Sequence, residues 1–322
     1  MQQQTFDMRL VGEPLPGCQH PLSCSTAVRL ARAAPLNRPC SIWHVRRVAE
    51  MRTALWARDL LRLPIRIVFT SAAQRRRSAL PRWLMSRMDA VIATTDRAVE
   101  FAPHVRAVIP QGVDTEQFLP ATNREAAWNM LGYPGARGVA TVGQIRPETG
   151  TDLFVDTMLR VLPGRPDVTA LVIGKASRSD AGFLADLKRR VEAAGMAERI
   201  LFPGEVTPDQ MPGLLRGLSI LVALPRCVGY GMTALEAMAS GVPLVASKTG
   251  PFSEFSAQEV AAKLVTLEDI DAAVTGVDAL LGDADLLRVV SDRAVKTVLE
   301  GFGIEREAAD IAQVYDAVWE KL

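Results

Sequence analysis

Short apolar runs, each ended by glycine, proline or charge, recur along the chain from Cys40 onward. Ser41–His44, Arg66–Thr70, Ala90–Thr94 and Ala107–Ile109 are four such runs, and each predicts a strand. Glu50–Leu61 carries Met51, Leu55, Trp56 and Leu60 at helical spacing and predicts a helix. A second helix is predicted from Pro81, a residue favoured in the first turn, to Arg87. The second half alternates more regularly. Strands are predicted over Gly138–Gly143, Thr169–Ile173, Ile200–Phe202, Ser219–Leu224 and Pro243–Ser247. Helices are predicted between them over residues 151–162, Asp180–Ala194, Pro208–Leu218 and Gly231–Ser240. The tail from Asp283 reads as helix interrupted near Gly301 and Gly303, with Val290, Val298, Ile311, Val314 and Tyr315 spaced for packing. Strands alternating with helices build parallel sheets covered on both faces, so the expected class is α/β with two Rossmann-like halves. Residues 1–39 are broken by Pro14, Pro16, Gly17, Pro21, Pro35 and Pro39 and predict no long element.

Composition agrees with a globular chain. Of 322 residues 48% are hydrophobic and 23% charged, enough apolar side chain for a sizeable core. No apolar run is long enough to span a bilayer, and Met1–Leu10 lacks the basic start and apolar stretch of a secretory signal; the cytoplasm is the expected compartment. The net charge of +1 hides an asymmetry. Residues 1–110 hold 17 arginines, no lysine and 7 acidic residues, a balance of +10 against −9 in the remainder. Such a split suits either an anionic surface met by the basic half or attraction between the halves. Cys18, His20, Cys24 and Cys40 match no common zinc spacing, so no metal is expected.

In open parallel sheets ligands sit beyond the carboxyl ends of the strands. That points to the loops 143–150, 174–179, 204–207 and 225–232. Three of them begin with glycine directly after a strand, where backbone N–H groups can approach an anion.

The most specific stretch is Pro225-Arg226-Cys227-Val228-Gly229-Tyr230-Gly231-Met232-Thr233-Ala234-Leu235-Glu236-Ala237-Met238-Ala239-Ser240-Gly241-Val242-Pro243. It resembles the P-x-x-E-G-F-G-L-T-x-L-E-A-M-A-x-G-x-P motif of family four glycosyltransferases. Gly143–Gly150 resembles that family's G-R-x-x-x-x-K-G loop, Gly112-Val113-Asp114 its linker, and Lys248–Glu254 its following glycine loop. Trp43–Arg47, Phe69–Arg76 and Met88–Thr94 resemble the lipopolysaccharide-core mannosyltransferases within it. The likeness spans residues 40–322.

The resemblance implies the GT-B fold, two Rossmann-like domains with parallel sheets facing across a cleft. The first would run over 1–114 and the nucleotide-sugar domain over 115–302, with 303–322 returning as a helix to the first. It implies retaining hexosyl transfer from a nucleotide sugar, GDP-mannose or similar, to an anionic glycolipid, with no cofactor or metal. Glu236 would hold the ribose; Gly143, Arg146, Gly204, Gly231, Met232 and Thr233 would surround the donor. His44 is the candidate catalytic residue of the first domain. Arg46, Arg47, Arg75, Arg76 and Arg77 are candidates for an anionic acceptor or the inner-membrane surface. No nucleic-acid motif is present, and nucleic acid is not an expected partner.

Three family positions are changed. Gln144 stands for the arginine and Thr149 for the lysine of the diphosphate loop, and Val228 for the first glutamate of E-x7-E. Arg146, Lys175, Arg178 and Arg226 are the candidates to resupply a cation. Three readings stay open: an active transferase with a rewired diphosphate clamp, a catalytically degenerate homologue acting as a partner, scaffold or sensor, and a fold-preserving binder of another anionic nucleotide.

Overall fold

In the computed structural model the described residues are 6–14, 20–36, 38–73, 78–256 and 261–320. The chain divides into two compact units, Met1–Gly112 with Ile304–Leu322, and Val113–Gly303.

Unit 1 is built on four parallel strands in the order β1 (Ser41–Val45), β2 (Ile65–Ser71), β3 (Ala90–Ala93) and β4 (Val105–Val108). β2 and β3 are buried almost throughout, as expected of parallel strands covered on both faces. Helix α1 (Cys24–Leu30), capped by the Ser23 hydroxyl, falls in the region where no long element was expected. α2 (Val48–Leu55) and α3 (Ala79–Ser86) pack Met51, Ala54 and Leu55 beside Leu84 and Met85 in one core cluster with Phe69 and Val91. α4 (Asp96–Val99) follows β3. The C-terminal helix, named α13 below, lies on the other side of the sheet. Its Ile311, Val314, Tyr315 and Val318 pack with Val68, Ile92 and Ile109. Trp319 donates its indole N–H to the Cys40 carbonyl at 2.9 Å.

The helix expected over Glu50–Leu61 changes character after Leu55. Met51 and Leu55 turn inward, but Trp56 and Leu60 are 46% and 69% exposed. After Leu55 the helix widens into a π turn over Trp56–Leu60, closed by Leu61 N–H donating to the Trp56 carbonyl at 3.1 Å. The wider turn rotates the following side chains away from the inward stripe, leaving Ala57 as the buried residue.

Unit 2 holds six parallel strands: β5 (Arg137–Val142), β6 (Val168–Ile173), β7 (Ile200–Gly204), β8 (Leu218–Ala223), β9 (Leu244–Ser247) and β10 (Ala262–Val265). Their order is β10-β9-β8-β5-β6-β7. The chain builds outward from β5 to one edge, then returns to β8 and builds to the other. The helices are α5 (Arg124–Met130), α6 (Thr151–Val161), α7 (Ala181–Ala193), α8 (Met211–Gly217), α9 (Met232–Ala239), α10 (Phe252–Phe255), α11 (Ile270–Gly282) and α12 (Ala284–Gly301); α13 (Ile304–Trp319) then joins unit 1. Core clusters cover both faces of the sheet. Not foreseen were α5, with the fully buried Trp128, and the β10–α11 pair.

The reversal of strand order between β5 and β8 is the topological switch point, and it selects two loops, 143–150 and 224–231. They meet closely. A Cβ on Gly150 would stand 1.8 Å from the Leu224 carbonyl oxygen, and its φ of +67° is left-handed, so only glycine fits.

Candidate functional site

At the carboxyl end of the unit 2 sheet three turns are laced together through backbone. Gly143 N–H donates to Ile173 O at 3.0 Å, Gly174 N–H to Gly204 O at 2.8 Å, and Ile145 N–H to Lys175 O at 3.0 Å. A Cβ on Gly174 would come within 1.8 Å of Gly143 O, so the turns sit closer than any side chain allows. Two helices start at the switch-point loops, α6 after Gly150 and α9 after Gly231. Both glycines have left-handed φ, and neither helix receives a side-chain cap at its N-terminus. Their first N–H groups and dipoles therefore favour an anion. Gly231 is obligatory for a second reason, since its Cβ would meet the Phe252 ring at 2.6 Å.

Glu236 lies one turn into α9. Its carboxylate is half-buried and has no hydrogen-bond or ion-pair partner among the described residues; burial alone pushes its pKa up. A desolvated carboxylate without a donor is costly, and a ligand offering two hydroxyls would relieve it. Met232 packs on the core while Thr233, like Gly231, remains half-buried at the helix start.

The three changed positions behave differently. Gln144 is exposed. Thr149 is turned back on its own loop, its hydroxyl 2.6 Å from Gln144 O and 2.8 Å from Arg146 O. Val228 packs inward against the core, so close to Gly250 that a Cβ there would meet its methyl at 2.4 Å. Where the family motif carries a cation and an acid, this chain has a loop staple and an apolar plug.

Of the cations available, Arg226 is fully committed. It makes a paired contact to Asp152 at 2.9 and 2.9 Å, bonds Glu268 and Pro147 O at 2.5 Å each, and its backbone N–H donates to Glu148 O at 2.9 Å. These carboxylates raise its pKa further above the arginine range. The sequence pattern gave no hint of Glu268, 42 residues away on a loop where it holds a left-handed φ of +63°. Arg226→Met is expected to lower stability by about 2 kcal/mol, because Asp152 is left partly buried without its cation. Thermal melts of the two proteins check this, and an unchanged midpoint would refute it.

Arg146 is exposed and pairs only loosely with Glu148 at 3.8 Å. Lys175 faces Glu205 at 3.6 Å beside Gly174 and Gly204. Both line the rim of the glycine turns. A pocket of about 310 Å³ opens there, floored by Ile145, Leu184 and Phe202, with Lys175, Lys188 and Glu205 around it.

In unit 1, His44 is held at both ring nitrogens: Nδ1 lies 2.6 Å from the Tyr315 hydroxyl and Nε2 2.7 Å from the Thr70 hydroxyl. Burial, with Arg46 adding repulsion, pushes its pKa down to about 3, and burial pushes that of Tyr315 up to about 12. This is a neutral, hydrogen-bonded histidine joining β1, β2 and α13. The unfolded chain protonates it near 6.5 and the folded chain only near 3, so the unfolded state binds more protons in between. Stability therefore falls as pH drops through that window, by about 2 kcal/mol between pH 8 and pH 5. Urea midpoints at both pH values should show the drop, reduced in His44→Gln; an identical slope in the two proteins would count against it.

Arg46 and Arg47 follow β1, both largely exposed. Arg46 stands 3.8 Å from Glu307 of α13, whose carboxylate accepts the Gly112 N–H at 2.9 Å; burial raises the pKa of that carboxylate. Arg75, Arg76 and Arg77 lie outside the described residues, as does Cys18. Among the described residues no group of three or more His, Cys, Asp or Glu is placed to hold a metal.

Residues 136–283 match the family described as "Glycosyl transferases group 1". Over 287 residues the chain is 42% identical to the lipopolysaccharide core biosynthesis mannosyltransferase LpsB of Rhizobium meliloti, covering 88% of this chain and 81% of that protein. It is 39% identical to the lipopolysaccharide core biosynthesis mannosyltransferase LpcC of Rhizobium leguminosarum, covering 88% and 80%. HepE of Anabaena, solved in complex with UDP, superposes with a TM-score of 0.78 over 96% of this chain and 85% of its own; at 17% identity that likeness is one of fold, the GT-B fold.

Proposed function

From the premise that this chain belongs to the group 1 glycosyltransferases, we propose that it transfers a mannosyl group from a nucleotide sugar, GDP-mannose or a close analogue, to a lipopolysaccharide-core or lipid-linked acceptor with retention of configuration. In that reaction the anomeric C–O bond to the diphosphate breaks and a new one forms to an acceptor hydroxyl, whose proton passes to the departing diphosphate. Charge grows on the diphosphate oxygens, and groups aimed at them do the catalytic work. The N–H groups opening α6 and α9, with Arg146 and Lys175 at the rim, are those groups here. Glu236 accepts the two ribose hydroxyls, and the pocket floored by Ile145, Leu184 and Phe202 takes the flat base.

The observation that carries this reading is the Glu236 carboxylate, without a partner among the described residues, one turn into a helix whose start has no side-chain cap. The second reading, a degenerate transferase working through a protein partner, is favoured by Thr149 and Val228, both spent on internal packing. Calorimetric titration with GDP, UDP and ADP tests the common basis of both. GDP should bind; absence of heat with any of the three at millimolar ligand ends the nucleotide-sugar reading.

A further inference from the structure

We propose that Glu205 and Lys188 select guanine among the nucleobases. The inference rests on the nucleotide-sugar reading and adds to it the side chains that read the base. The pocket of about 310 Å³ beside the glycine turns is lined from α7 and from the end of β7. Leu184 and Lys188, four residues apart, share one face of α7. Phe202 belongs to β7, and Glu205 follows the last residue of that strand, Gly204. Leu184 and Phe202 pack partly buried on the core, which leaves a flat ring an apolar floor. Lys188 is exposed and its Nζ stands 5.6 Å from the centre of the Phe202 ring. The Glu205 carboxylate faces Lys175 at 3.6 Å, beyond hydrogen-bond distance, so both its oxygens stay available to a ligand.

An apolar slot lined by an ammonium and a carboxylate does not suit all bases equally. Guanine carries two parallel donors, N1–H and the 2-amino group, on one edge, and two acceptors, O6 and N7, on another. A carboxylate accepts both donors at once, and a lysine ammonium donates to the O6/N7 pair. Uracil sets its one N–H between two carbonyl oxygens, so a carboxylate approaching it is repelled from both sides. Adenine sets a ring-nitrogen acceptor beside its amino group and meets the same carboxylate with a lone pair. Hypoxanthine keeps O6, N7 and N1–H and lacks the 2-amino group. Xanthine has a carbonyl in place of that amino group. Glu205 therefore discriminates, while Lys188 adds binding that guanine and hypoxanthine share.

Calorimetry of the full chain with the diphosphates of guanosine, inosine, xanthosine, uridine and adenosine tests this. GDP should bind tightest and the inosine compound about tenfold more weakly, for the loss of one charge-assisted hydrogen bond. UDP, ADP and the xanthosine compound should lag GDP by about a hundredfold. Glu205→Gln offers one acceptor and one donor, the pattern that matches xanthine. It should lose about thirtyfold in GDP affinity and bind xanthosine diphosphate more tightly than GDP. Lys188→Met should weaken GDP and inosine diphosphate alike, by about fivefold, and leave their ratio unchanged. Both side chains are exposed, so melting points should match the parent. Three results would each overturn the base assignment and leave the nucleotide-sugar reading standing. They are unchanged GDP affinity in Glu205→Gln, a glutamine variant that still prefers GDP to xanthosine diphosphate, and a parent that binds UDP or ADP as tightly as GDP. Absence of binding by all five compounds removes both readings.

Discussion

Introducing Gln144→Arg, Thr149→Lys and Val228→Glu together is expected to raise the turnover of GDP-mannose by roughly a hundredfold or more, since each electrostatic stabiliser of a developing charge contributes about 2 to 4 kcal/mol. Gln144 is exposed, so an arginine there is free to reach a diphosphate. Thr149 is the harder change. Its hydroxyl staples the loop through Gln144 O and Arg146 O, and losing it costs about 1 kcal/mol of stability. Val228→Glu exchanges an apolar contact over Gly250 for a carboxylate able to accept sugar hydroxyls. Product assays with parent and triple variant, alongside melting curves, decide the matter. Measurable transfer by the parent supports the active reading, and transfer by the variant alone supports the degenerate one. No transfer by either, with folding and GDP binding preserved, would mean that restoring these three side chains does not restore catalysis.

Glu236→Ala is expected to weaken GDP binding by about 3 kcal/mol, near a hundredfold, because two charge-assisted hydrogen bonds to the ribose are lost together. Glu236→Gln keeps one acceptor and should lose about tenfold. Deoxyribose analogues should show the same losses with the parent and none further with Glu236→Ala. The stability effect runs the other way. Burial raises the pKa of this carboxyl, so folding disfavours its charged form; stability is highest below the unfolded pKa and falls as pH rises through the folded one. At neutral pH Glu236→Gln should thus melt higher than the parent while binding less, the signature of a group kept for its ligand. Equal affinity in parent and alanine variant would remove Glu236 from the site.

Much of the architecture is legible locally. β2, β3 and β6 are buried almost end to end, so their residues 65–71, 90–93 and 168–173 read as apolar runs with no surrounding information. α6 and α7 lie within a residue or two of their predicted spans because a core-facing stripe repeats in the sequence. β10 and α11 were missed: Ala262–Val265 is four residues long with a lysine inside, and no turn signal isolates it. The π turn after Leu55 was not legible, because periodicity assumes a constant turn and the π turn breaks that constancy.

The sequence by itself determined the parallel α/β class, the glycine turns at strand ends, and the survival of Glu236 beside the altered Gln144, Thr149 and Val228. These are properties of short windows, where side-chain size, backbone freedom and hydrophobic spacing act directly. Only the tertiary structure decided what those groups face. It put Asp152 and Glu268 on Arg226, Thr70 and Tyr315 on His44, Val228 against Gly250, and nothing on Glu236 among the described residues. Such partners lie tens to hundreds of residues apart in sequence, and strand order together with the crossing of two loops at the switch point brings them within bonding distance.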